Sequence, residues 1–257
     1  MTRILPIAFN TYREAVRDRV LYNLIVFALL IVGSALLVGQ ISIEVERIVL
    51  INMGLTSISI FGVVIAIFIG ISLVWKEIER RTIYTVLAHP VRRWEFLFGK
   101  FIGLFGTLAF NAALMAIGFF AALMYLSHGL SRADAYILVA IYFIVLQLMM
   151  MTALAMLFST YSSPLLSSIF AFAVFAIGTF SDDLHNFAAV APNPTKAMMT
   201  VMAYLVPNFS SLNVISQVAH GIPVQSGLIL QNTVYAISYS AVALFCAAAI
   251  FENRNFK

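Results

Sequence analysis

Composition excludes an internal disulfide: the chain has one cysteine, Cys246. It falls in the last long apolar run, where a small buried hydrophobe is expected rather than a redox group. Charge is scarce too. Asp, Glu, Lys and Arg make up 10% of the residues, where soluble domains carry about 25%. No residue of these types, and no histidine, lies in the central part of a long apolar run. Ionisable groups inside a membrane cost about 2.5–3.5 kcal/mol each and are kept where a proton relay needs them. Their absence argues against proton coupling, although sodium held by hydroxyl and backbone oxygens stays open. No internal repeat of the kind that marks secondary transporters stands out. The pattern G-x-x-x-x-G-K-[ST] is also missing, so the chain is not its own ATPase. No catalytic residue, bound cofactor or metal ligand set is expected.

What the chain has instead is apolar surface. Apolar residues make up 62% of it, with a mean hydropathy of +1.00. A core of this length cannot hide so much, which predicts an all-α integral membrane protein forming a single transmembrane domain over residues 1–257. A span needs about 20 mainly apolar residues. Six runs qualify: about Val20–Gly39, Ile48–Trp75, Phe96–Leu126, Ala135–Ser159, Pro164–Phe180 and Gly227–Phe251. The first is too long for a signal peptide and has a poor cleavage pattern, so a retained span is expected. With alternating sides, twelve Lys and Arg fall on one side: Arg3, Arg13, Arg17, Arg19, Lys76, Arg80, Arg81, Arg92, Arg93, Lys100, Arg254 and Lys257. Only Arg47, Arg132 and Lys196 fall on the other. The positive-inside bias puts both termini and the 76–100 segment in the cytoplasm of a multi-pass protein of the cytoplasmic (inner) membrane. The same bias accounts for the basic balance, so no nucleic-acid partner is called for.

Before the first span, over 4–19, Leu5, Phe9, Tyr12, Val16 and Val20 recur at helical spacing opposite Asn10, Arg13, Glu14, Arg17 and Asp18. This predicts an amphipathic helix lying in the membrane interface. It is either a plain anchor or an elbow in which Tyr12, Arg13 and Arg17 border a cytoplasmic partner. The 181–226 connection, with four prolines, is the long external one. Its Thr195–Leu205 stretch, helix-permissive and too short to span, reads as lying on the outer surface or re-entering partway, and the connection as a gate, a docking surface for an extracytoplasmic protein, or an inert lid. Met149, Met150 and Met151 point in three directions from a helix and read as packing filler, not copper ligands. Asp182, Asp183 and His185 read as a solvated loop before a cation site.

The remaining feature is the charged break from Lys76 to Lys100, which carries six of the fifteen Lys and Arg residues. Ile83, Val86 and Leu87 form one apolar side of a short helix flanked by Glu77, Glu79, Arg80 and Arg81, and Pro90 ends it. Such a helix suits a groove on a partner; a merely solvated basic loop is the bland alternative. Here Glu77, Glu79, Arg80, Thr82, Leu87, Pro90, Arg93, Trp94, Gly99 and Lys100 resemble the pattern between spans two and three of the ATP-binding-cassette type-2 permease family. The tail Phe251–Lys257 resembles that family's F-x-x-R-[DE]-F ending. Arg81 stands where the family usually has Gly, and Asn255 where it has an acid. The resemblance covers essentially the whole chain.

That resemblance implies a homodimer of six-span permeases on two copies of a cytoplasmic ATPase, which binds ATP and magnesium. The 76–95 segment would be the coupling helix, with Glu77, Glu79, Arg80, Thr82, Ile83, Leu87, Pro90, Arg93 and Trp94 as the ATPase-contact set. Cargo would pass between the two permeases, usually outward. The alternative is a mechanotransmitter or anchor that carries ATPase motion to an outer protein without moving a substrate. The residues do not name a substrate.

Overall fold

The computed structural model describes residues 4–17, 22, 26, 29–34, 46–79, 93–127, 134–182 and 206–253. Seven α-helices are named here: α1 (Ile4–Val16), α2 (Glu46–Glu79), α3 (Arg93–Ser127), α4 (Ala135–Tyr161), α5 (Pro164–Thr179), α6 (Ile215–Ala219) and α7 (Ser226–Asn253). No strand occurs among the described residues. Four helices are long and apolar enough to cross a membrane: Glu46–Leu73, Trp94–Leu126, Ala135–Tyr161 and Ser226–Glu252. The expected first span lies largely outside the described residues, though 29–34 are helical. The expected fifth span is the shorter helix α5, of 16 residues. At 1.5 Å per residue it reaches about 24 Å, short of the roughly 30 Å of hydrocarbon.

The middle of the bundle is α4, which packs against α2, α3, α5 and α7. A helix that is apolar all round belongs in an interior, and Met150 and Met151 are both fully buried on it. Paired contacts fix the register. Arg47 pairs with Asp134 at one end of α2 and α4. Gln147 Nε2 donates to Ser59 Oγ at 3.0 Å in the middle, and Gly70 abuts Ala155 further on. These two helices therefore run parallel. Tyr142 and Thr233 share a hydrogen bond of 2.8 Å, and Ala153 and Met156 pack with Ala243, Leu244 and Ala247, so α7 is parallel as well. Helix α3 runs the other way, with Gly54 against Phe119 at one end and Lys100 against Leu73 at the other.

Between α4 and α5 the chain reverses over two residues. The Ser162 hydroxyl donates to the Phe158 carbonyl at 2.8 Å and shares a 2.6 Å hydrogen bond with Ser167. Pro164 then opens α5, where a missing N–H costs nothing.

The Thr195–Leu205 stretch lies outside the described residues, but beyond it 206–222 fold into the bundle beside the short α5. Phe209, Leu212, Val214 and Val218 are buried, and the Phe209 ring lies 5.8 Å from that of Phe175. Non-helical backbone at this depth needs partners. Accordingly, the Asn208 N–H donates to the Tyr235 hydroxyl at 2.8 Å, and Asn232 Nδ2 donates to the Ser211 carbonyl at 2.7 Å. The Asp182 carboxylate accepts from Ser210 Oγ and Asn208 Nδ2, so it anchors this segment. Gly221, at φ +71°, ends α6 with the Ile222 N–H bonded to the Gln217 carbonyl at 2.9 Å, a left-handed cap that only Gly adopts freely.

Cys246 departs from expectation: it is exposed. The tendency of cysteine to be buried is a rule for proteins in water, and facing hydrocarbon costs a thiol little. Ser59, Gln147, Asn111 and Ser240 are buried and, by helical register, lie at comparable depth on four different helices.

Candidate functional site: the charged helix ends and the N-terminal helix

Lys76, Glu77, Ile78 and Glu79 contain no helix breaker, and α2 runs through them to Glu79. At the other side of the connection, α3 opens at Arg93. The expected separate segment 76–95 is therefore shorter at both ends. Glu77 and Glu79 sit on the last turns of α2, and Arg93 and Trp94 on the first turn of α3. Trp94 is 40% exposed. Arg80, Thr82, Ile83, Leu87 and Pro90 lie outside the described residues. With 34 and 35 residues, α2 and α3 are each about 50 Å long, which exceeds the roughly 30 Å hydrocarbon thickness. Both helices therefore carry their charged ends past the apolar zone.

Lys100 ties these two ends together. Its side chain is 3% exposed, and Nζ donates to the Leu73 carbonyl of α2 at 2.7 Å. The same ammonium lies 5.1 Å from the centre of the Phe96 ring, a favourable cation–aromatic position. Burial of an ammonium is costly unless it is hydrogen-bonded, so this contact fixes α3 against α2 about two turns beyond the connection.

The N-terminal helix completes the site. A Cβ on Gly99 would come within 2.8 Å of Ile7, and one on Gly103 would run into the Ala8 carbonyl and within 2.7 Å of Thr11 Cβ. Further along, the Tyr12 ring meets Phe110 edge-on at 6.4 Å. The order of these contacts shows that α1 runs alongside α3 in the same direction. Its buried face is Ala8, Thr11 and Ala15, not the large apolar residues. Leu5 and Phe9 are 73% and 62% exposed, which suits a helix half-sunk in lipid headgroups. Arg13 is exposed and stands 5.5 Å over the Phe9 ring. Arg17 is exposed just past the helix end, its N–H on the Glu14 carbonyl at 3.2 Å.

The structure thus places Gly99 and Gly103 of α3 against α1 and Lys100 against α2, whereas Tyr12, with Arg13 next to it, stands beside Phe110, sixteen residues or about 24 Å along α3 from Trp94. The sequence pattern marks Gly99 and Lys100 as positions and Gly103 as a small residue, but not the contact of the two glycines with α1 or the bond of Lys100 to α2. The Gly99-x-x-x-Gly103 spacing opposite Ala8, Thr11 and Ala15 was the available signal, since small residues mark close helix contacts in membranes. Elsewhere, Gly54, Gly62 and Gly70 meet neighbouring side chains, while Gly106 has nothing within 4 Å of its would-be Cβ. No group of three or more His, Cys, Asp or Glu that could hold a metal occurs among the described residues. The family described as ABC-2 family transporter protein matches residues 5–256. No curated protein matches the chain.

Proposed function

Because the chain belongs to the ABC-2 transporter family, we propose that it is the membrane-spanning permease subunit of an ATP-driven exporter. It has six spans, both termini and the Lys76–Lys100 segment in the cytoplasm, and two copies assemble on two copies of a separate ATPase. That ATPase supplies ATP and magnesium binding. The observation that carries the reading is the Lys100 clamp between α2 and α3, with α1 seated in the Gly99–Gly103 seam. A push on the 80–92 connection is then delivered to two long helices at once instead of bending a loose loop. Glu77, Glu79, Arg80, Thr82, Ile83, Leu87, Pro90, Arg93 and Trp94 form the ATPase-contact set, while Tyr12, Arg13 and Arg17 sit further along the neighbouring α1, level with later turns of α3.

The test is co-purification with the ATPase. Replacing Leu87 and Trp94 by Glu should abolish ATPase capture while leaving membrane insertion and thermal unfolding close to wild type. Undiminished capture by the doubly substituted protein sinks the contact assignment. Capture without ATP-dependent efflux would leave the mechanotransmitter reading in place of export.

A further inference from the structure

A cavity of about 520 Å³ lies on the side of α4 away from α1, within the range of small-molecule sites. Helices α5 and α7 both pack on α4 and barely meet each other. The cavity is the cleft between them, walled by Leu157, Phe158, Val174, Val242 and Cys246 and closed above by Val206 and Pro207. Tyr239 provides the one side-chain oxygen in the lining, and no charged side chain lines it among the described residues. We propose that this cleft binds one acyl chain of a membrane lipid, with the headgroup left outside at the Tyr161 end of α4.

Three observations select that occupant. The walls belong to apolar helices long enough to cross the bilayer or, for α5, most of it, so the surrounding solvent is hydrocarbon. A lining without charge has nothing to neutralise a phosphate or a carboxylate, and a buried unpaired charge is prohibitive. Length is the third. The Tyr142–Thr233 hydrogen bond sets Tyr239 level with Leu148, ten residues before Phe158, so the cleft is about 15 Å deep. That is half of the roughly 30 Å hydrocarbon thickness. A spanning helix from a second copy would be blocked at the Pro207 roof, whereas a lipid tail ends there. The site also reaches the segment at 206–222, because its roof continues into Asn208, which is bonded to Tyr235 and Asp182. This inference needs the helices to sit in a membrane but is independent of the ATPase partner.

The experiment uses the full-length protein in bilayers containing phosphatidylcholine with a diazirine midway along one chain. After irradiation, adducts are mapped by peptide mass spectrometry. They should fall on cleft residues such as Leu157, Val174 and Cys246. Filling the cleft with Ala243→Phe, or from its rim with Cys246→Trp, should cut them about tenfold, the equivalent of losing two buried methylenes. Adducts on Leu165 and Phe245, which are 74% and 76% exposed outside the cleft, should not change. The rim substitution reads the site if the buried one fails to fold. Cleft adducts untouched by both substitutions, equal cleft labelling from a headgroup diazirine, or a Cys246-to-Cys246 crosslink between copies in place of lipid adducts would each overturn the proposal.

Discussion

At the scale of single residues, the absence of a side chain matters as much as its presence. Gly103 allows the Ala8 carbonyl and the Thr11 side chain to lie against the backbone of α3. Gly103→Leu forces α1 away and should cost about 1–3 kcal/mol, as overpacking does in tight cores. Thermal unfolding in detergent measures it, together with faster tryptic cleavage at Arg13 and Arg17. Gly106→Leu, three residues on in open space, should be near neutral. If both substitutions behave alike, the seam has no special role. At the opposite end of the bundle Asp134 is 4% exposed and Arg47 41%. Because Arg47 is partly solvated, a double-mutant cycle with Asp134→Asn and Arg47→Met should give a coupling of only about 0.5–1.5 kcal/mol. A coupling near zero would reduce the pair to an incidental contact.

At the scale of elements, the long apolar helices were legible because about 20 apolar residues in a row admit few other readings. Their packing faces were not. Periodicity in α1 marks the large side chains Leu5, Phe9 and Tyr12, but lipid satisfies those as well as protein does. Contact between membrane helices instead runs through small residues, so Ala8, Thr11 and Ala15 make the interface. The bounds of the charged segment were misjudged for a related reason. Charge was taken to end a helix, yet Lys76–Glu79 are good helix formers, and α2 simply continues past the apolar zone. In the candidate site, Glu77, Glu79, Arg93 and Trp94 were legible as positions. The use of Lys100 was not, because a bond to a backbone carbonyl leaves no trace in a side-chain pattern. The burial of 206–219 was half legible: Pro207 signals irregular chain, while nothing in the spacing of Phe209 places its ring against Gly178 or ties Asn208 to Tyr235.

At the scale of the whole molecule, helices α2, α4 and α7 point one way and α3 the other, so the arrangement makes a prediction about sides. With Cys246→Ser as background, no native thiol remains. A cysteine placed at Ala88 should then react with an impermeant maleimide only from the cytoplasm, and one at Gly221 only from outside. Equal labelling of both from one side would refute the alternating six-span reading.

The shortness of α5 has one more consequence. Where a helix stops about four-fifths of the way across, the bilayer would be left with a notch through which ions could leak. Phe209, Leu212, Val214 and Val218 occupy that notch, and Asp182 pins them there. In a bilayer the same segment would also close the path beside α5, so a chain that lost it should leak ions even while standing idle.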